Sequence, residues 1–488
     1  MTAGTMSMGS ALSWQATRDP DRPAITMGTH SYTRLELDRA ANRLARSLAQ
    51  SGIGRDDRVA VILPTGPRHQ ITCFALWKLG ALVIPLPART TDAELRHLAD
   101  QAQPRLIIGV DSGRLVDYES LPPDFTADPG LSDEPLPDVV ATRWKASTSG
   151  GSTGLPKLIW ENRTSEIDPS EPFPLLRIKA DDTILHPAAP HHNASFSQTN
   201  WSLCWGAHVL LMERFDAETW LSLIEEHRVR WAYLVPTMMS RILALPEAVR
   251  QKSDLTSLEV VMHMAAPCPP WVKQAWIEWL GPDKIWEIYG GTEGYGATMI
   301  NGVEWLEHRG SVGKVQAGTE IRDDDGNALP PGEIGTVWFY PPVGNPMGHS
   351  PDVAQTYGDM GRLDEGGYLY LADRRTDMIL TGGVNIYPAE IEGVCEQIPG
   401  VVSAAVIGLP DSDLGQRTHA LIEIAPGERR PEPNDIADFL KARLSHHKVP
   451  YTCEFVAEPL RDESGKLRRK QLRDQRLESS ATEYLPLR

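Results

Sequence analysis

The chain has 488 residues, 41% apolar and 23% charged, which suits a globular protein of two or more domains and excludes wholesale disorder or a fibrous repeat. A formal net charge of −17 opposes nucleic-acid binding unless a basic face is set apart. Only 461–476 is locally basic, and it reads as a solvated tail.

Residues 1–20 read as a loose start, with no basic segment leading into an apolar core. An amphipathic helix is expected at 32–51, with Leu35, Leu37, Leu44 and Leu48 among its apolar positions. Short β-branched runs at 58–64, 81–85 and 106–110 alternate with helical patterns at 69–79 and 92–101, which predicts a parallel sheet with crossover helices. A Pro- and Asp-rich connector at 122–137 leads into a Gly/Ser/Thr-rich stretch. Beyond it, strands are expected at 183–186, 208–212, 231–235 and 258–263, with helices at 217–226 and 271–280. Short strands and turns then fill 310–335, with a turn at 323–327. Past Asp373 the pattern resets to a smaller α+β unit, with strands at 402–407 and 419–424 and a helix at 435–444. No apolar run reaches membrane-spanning length, and the five cysteines form neither a CxxC pair nor a zinc cluster. These readings exclude membrane insertion and favour a reducing cytoplasm.

Four strings can carry chemistry. Residues 147–157 read Ser-Thr-Ser-Gly-Gly-Ser-Thr-Gly-Leu-Pro-Lys. Gly150, Gly151 and Gly154 would let the backbone approach an anion, while Ser147, Thr148, Ser149, Ser152, Thr153 and Lys157 supply hydroxyls and charge. The spacing is not that of the P-loop, and a flexible linker has the same composition. Tyr289-Gly290-Gly291-Thr292-Glu293 follows an apolar strand at 285–288, at the mouth of a sheet, where a carboxylate beside a hydroxyl suits magnesium and phosphate oxygens. Asp359 and Arg374 can serve ribose hydroxyls or form a surface ion pair, and Gly465-Lys466 is a glycine turn presenting a lysine.

In this order the strings resemble the adenylate-forming superfamily over almost the whole chain, and more finely its bile-acid-CoA ligase-like and acyl-CoA synthetase branch. The resemblance implies an α/β fold: a large N-terminal adenylating domain at 1–372, with parallel-rich sheets and a small β-rich subdomain, and a smaller mobile α+β domain at 373–488. It also implies roles. Residues 147–157 would hold ATP phosphates; Tyr289 and Gly290, with Ala265, Ala266 and Pro267, would flank adenine; Asp359 and Arg374 would meet the ribose. Thr292 would stand at the phosphate, Glu293 on magnesium, and Lys466 at the reacting carboxylate and α-phosphate. His192 would stand between acyl pocket and acceptor tunnel, unless it is simply a satisfied core histidine, with Gly291, Gly382 and Gly383 beside the tunnel. Thr376 occupies the usual hinge position, where relatives carry aspartate or lysine, and Asp373 stands where a glycine precedes the arginine.

The activity implied is ATP-dependent ligation of a carboxylic acid through acyl-AMP, with CoA as acceptor. The alternatives are an amino acid acceptor, as in coronafacic acid ligase-type amide synthetases, or a carrier protein, placed third because no carrier domain is fused. An α-amino acid substrate is disfavoured because Ala194, Ser195 and Phe196 offer no carboxylate for an ammonium group. Trp201, Trp205, Trp231 and Tyr233 are candidates for an aromatic acyl pocket or for core.

Overall fold

The structure is a computed structural model that describes residues 4–88, 91–111, 113–149, 156–316, 318–382, 384–425, 427–462, 465–478 and 484–487. Its largest layer is an eight-stranded sheet. The order is Ala297–Asn301, Ile285–Gly290, Val260–His263, Trp231–Leu234, Thr183–His186, His208–Leu211, Pro23–Met27, His30–Thr33. The inner strands run parallel, and only the two edges turn back. Trp231–Leu234 and Val260–His263 are buried at every position, because helices cover both faces of such a sheet; hence their continuous apolar runs.

A second, all-parallel sheet joins Leu82–Pro85, Arg58–Val61, Leu106–Ile108 and Ser120–Leu121. Lys145 bridges to Val83 on its edge and leads into the strand Ala146–Ser149, which pairs antiparallel with Lys157–Trp160. An antiparallel five-stranded sheet follows, from Gly313–Lys314 to Tyr368–Arg374. The turn expected at 323–327 is closed by Asp323, whose carboxylate accepts from the backbone N–H groups of Asp325 and Asn327. The last sheet is centred on Gly415–Ile424, and helices Pro388–Cys395 and Pro433–Lys441 close over its own apolar cluster, which includes Ile436 and Leu440. The fold is thus α/β with a smaller C-terminal α+β unit. Among the described residues no helix is long and apolar enough to cross a membrane, and the five cysteines are unpaired.

Two expectations are corrected. The start is not loose: Met8–Arg18 is a helix, N-capped by the Ser7 side chain, and Met8, Ala11 and Leu12 are buried. Small residues let it lie so close to helix Pro67–Lys78 that a Cβ on Gly9 would stand 2.7 Å from the backbone nitrogen of Lys78. The segment has little amphipathic contrast, so its order comes from tertiary contact. The basic run near the C-terminus is not a solvated tail either. Arg469–Glu478 is helical, and Arg469 forms a two-pronged bond to Glu392 at 2.7 and 3.2 Å and another to Asp377 at 2.7 Å.

The helix expected at 32–51 begins instead at Arg34, because Thr33 ends a strand and closes a capping box with Glu36. Beneath it the buried Lys78 ammonium bonds Asp38 at 2.7 Å, Ser13 Oγ at 2.8 Å and the Gly9 carbonyl at 3.1 Å, tying the first three helices together. Asp38→Asn would leave that cation uncompensated and is expected to cost about 3–5 kcal/mol, read as a lowered urea midpoint of unfolding.

Candidate functional site

Parallel strands joined by right-handed crossovers end at one edge of a sheet, so the loops that leave them converge. In this chain those loops carry His192 after Thr183–His186, Ala265 to Pro267 after Val260–His263, and Gly291 to Glu293 after Ile285–Gly290. All line one long cleft, together with Thr148, Lys157, Tyr289, Gly290, Asp359, Arg374 and Lys466. Residues separated by more than 300 positions in the chain thus face one another.

The loop after Gly290 is tightly held. The Tyr357 hydroxyl accepts from the backbone N–H groups of Tyr295 and Gly296, at 2.8 and 3.1 Å, and donates to the Gly296 carbonyl at 2.8 Å. His349 Nε2 donates to the Glu293 carbonyl at 2.8 Å. A Cβ on Gly291 would stand 2.3 Å from the Tyr357 ring and 2.8 Å from Glu293 Oε2, so only glycine fits. His349 has no signal in the sequence, because its role depends on a fold that brings it 56 positions back to Glu293.

Asp359 opens the strand Asp359–Leu363 and pairs with Arg374 across the sheet. Its carboxylate accepts from the Tyr289 hydroxyl at 2.6 Å, and Arg374 Nε lies 3.4 Å away. Burial pushes its pKa above the usual carboxylate range, against the Tyr289 hydrogen bond and the Arg374 charge. Ala265 sits at φ +78°, a left-handed conformation that costs a non-glycine residue about 1–3 kcal/mol and is kept only where the surroundings impose it.

Lys466 follows a turn in which Asp462 accepts from the backbone N–H of Gly465 at 2.8 Å and, through its carboxylate, from that of Lys466 at 3.1 Å. The turn rests on Val235 and Thr237, at the end of the large sheet. The walls of the cleft and the Arg374 guanidinium lower the pKa of the Lys466 ammonium, while Asp462 and Glu293 oppose them.

The structure does not bring every expected residue to the cleft. Gly150, Gly151, Ser152, Thr153, Gly154 and Gly383 lie outside the described residues. Ser149 ends the strand Ala146–Ser149. Ser147 is buried and committed: its hydroxyl accepts from Lys145 at 3.0 Å and donates to Asn193 Oδ1 at 3.1 Å. Gly382 turns away, its N–H bonded to the Leu414 carbonyl at 2.9 Å. Trp205 and Trp231 are core, whereas Trp201 and Tyr233 line the cleft.

Comparison with known proteins gives the family and the fold. Residues 12–345 match the family described as AMP-binding enzyme, and residues 390–466 match the AMP-binding enzyme C-terminal domain. A fatty acid–acyl-carrier-protein ligase of Streptomyces coeruleorubidus is 29% identical, over 95% of this chain and 95% of its own. A feruloyl-CoA synthase of an Amycolatopsis species is 30% identical, over 94% of this chain and 98% of its own. The solved amide bond synthetase McbA of Marinactinospora thermotolerans shares the fold, with a TM-score of 0.76 and 23% identity over 96% of this chain and 99% of its own.

Buried histidines surround the cleft. His192 caps helix Asn193–Cys204, and its Nε2 is buried without a partner, so it is not a satisfied core histidine. Burial, with His191 and Lys466 nearby, pushes its pKa down to about 2. Burial likewise brings His69 to about 3 and His186 and His263 to about 4. In the unfolded chain each takes up its proton near pH 6.5, before the folded form does. Their contribution is therefore complete above pH 6.5 and is lost as pH falls towards the folded values, by up to about 1.4 kcal/mol per pH unit for each histidine. Urea unfolding between pH 7.5 and 5 is expected to show this decline, and a flat profile would contradict it.

Proposed function

The chain belongs to the AMP-binding enzymes, which are AMP-forming carboxylate ligases, and on that premise we propose that it activates a carboxylic acid with ATP and passes the acyl group to CoA. The observation that carries this reading is the convergence of Lys466, from the C-terminal unit, with Glu293, Arg374 and His192 in one cleft. That arrangement suits the first half-reaction, in which the acid attacks the α-phosphorus to give acyl-AMP and pyrophosphate.

Repulsion between two anions is the obstacle to that attack. A lysine about 4 Å from a phosphoryl oxygen, at an effective dielectric near 20, contributes roughly 4 kcal/mol, or about a thousandfold in rate. Thr148 and Lys157, on two paired strands, would face the outer phosphates, with Thr292 and Glu293 on the opposite wall. Tyr289, Ala265, Ala266 and Pro267 would enclose the base, and Asp359 with Arg374 would meet the ribose. Glu293 offers a hard oxygen donor, and among the described residues no group of three or more His, Cys, Asp or Glu side chains is arranged to hold a metal; a magnesium ion would therefore be shared with the phosphates. Such an ion neutralises charge on the phosphates. No general base is needed, which agrees with the neutral His192.

For the second half-reaction the C-terminal unit, from residue 373 on, would rotate about the segment at Thr376, withdrawing Lys466 and bringing Gly382 and Gly383 towards an acceptor tunnel. Its separate apolar cluster supports motion as a body. CoA is the acceptor favoured by the feruloyl-CoA synthase relative; an amino acid or a carrier protein is the alternative.

Lys466→Ala is expected to slow acid-dependent pyrophosphate release about a thousandfold while sparing acyl transfer from synthetic acyl-AMP; equal loss of both would remove its assigned role. Incubation with ATP, magnesium and a panel of acids, offering CoA, amino acids or a carrier protein, is expected to yield a thioester of CoA by mass. Amide formation without thioester would replace CoA by an amino acid.

A further inference from the structure

One wall of the cleft is the helix Asn193–Cys204, and Asn193, Ser197, Gln198 and Trp201 recur along it at helical spacing. Asn193 and Ser197 share a property: their oxygens accept from donors of the protein itself. The Lys145 ammonium is fully buried, 4.8 Å from the centre of the Trp144 ring. It donates to Ser147 Oγ at 3.0 Å, to Ser197 Oγ at 2.9 Å and to Asn193 Oδ1. An ammonium has three protons and no lone pair, so these three acceptors are its full complement, with Glu161 at 3.6 Å as counter-ion. Ser147 gives its own proton to Asn193 Oδ1 as well.

Asn193 must therefore keep its oxygen on Lys145, which leaves its NH2 group turned away from that network. Ser197, by accepting from the lysine, keeps its proton free. The Gln198 amide meets His186 Nε2 at 2.9 Å and the Met264 sulfur at 3.7 Å. The direction there follows the His186 tautomer: Ser195 gives its proton to the Ala188 carbonyl and so meets His186 Nδ1 at 3.3 Å as an acceptor, which puts the ring proton on Nδ1 and turns the Gln198 NH2 to Nε2. Among the described residues no acceptor stands within hydrogen-bonding distance of Asn193 Nδ2. Asn193 and Ser197 thus offer donors on this wall, their oxygens being taken within the protein. From Asn193 to Trp201 it runs about 12 Å at the helical rise, with the His192 and Lys466 end at the reacting carboxylate.

We infer that this wall selects acids carrying carbonyl, ether or hydroxyl oxygens within about 12 Å of the carboxyl group, with the Trp201 ring closing the far end, and that it discriminates against unsubstituted aliphatic chains. The inference rests on the acid-activating reading of the cleft. Its physical reason is that an apolar chain would bury the Asn193 and Ser197 donors unpaired, whereas an oxygenated acid of the same shape pairs them.

Two acids of nearly equal shape test it, 4-oxo-4-phenylbutanoate and 5-phenylpentanoate, with decanoate as the aliphatic case. ATP–pyrophosphate exchange is expected to give the keto acid a kcat/KM at least about tenfold above the other two. Ser197→Ala and Asn193→Ala, each checked for a native melting transition, are expected to bring the ratio close to one. Parity in the unsubstituted enzyme, or a preference for decanoate, would overturn the inference, and so would variants that fold and keep the full ratio. If no acid supports exchange, it is the acid-activating reading that fails. Quenching of the Trp201 fluorescence, taken as the difference from Trp201→Phe, then reads acid binding alone: tighter binding of the keto acid upholds the wall's selectivity, and equal binding refutes it.

Discussion

The structure depends on one constraint of parallel β-sheets: strands joined by crossovers of a single hand must all end at the same edge. Because Thr183–His186, Trp231–Leu234, Val260–His263 and Ile285–Gly290 run side by side, their outgoing loops deliver His192, Val235, Ala265 and Gly291 to one line. The sheet itself is apolar and inert, and its part in the chemistry is registration. Backbone features that would be costly elsewhere, such as the left-handed Ala265 and the crowded Gly291, are held at that edge by the rigid strands below it.

Buried charges do a second kind of work, by joining layers that share no strand. Lys145 links the strand pair beside the smaller parallel sheet to the helix that follows Thr183–His186 in the larger one. Lys273 and Glu287, 2.6 Å apart, lie beneath the loop that carries Glu293. Burial lowers the pKa of Lys145 to about 8, and the Glu161 carboxylate opposes that fall. Such groups stabilise little in net terms, but removing one partner is costly, so they fix a geometry more than they add stability.

The C-terminal unit meets the cleft through the turn at Lys466 and through the ion cluster of Arg469, Glu392 and Asp377. Asp373 stands where a glycine was expected. It accepts from the Ala389 N–H at 2.8 Å, and burial raises its pKa to about 6. The position therefore anchors helix Pro388–Cys395 in addition to leading into Arg374.

The sequence by itself determined the periodic elements and the strings at 147–157, 289–293, 359, 374 and 466. Apolar period and local loop chemistry depend on neighbours in the chain, so they can be read there. It also determined the α/β class, since alternating strands and helices admit few other arrangements. Only the tertiary structure decided that Met8–Arg18 is ordered and that Ser147 is consumed within the protein. The partners involved, Lys78 for the helix and Lys145 with Asn193 for the serine, are brought close by folding rather than by spacing. The same holds for the donors on the cleft wall: hydrogen-bond direction at Asn193 and Ser197 is set by which groups surround them, and a linear chain carries no record of that.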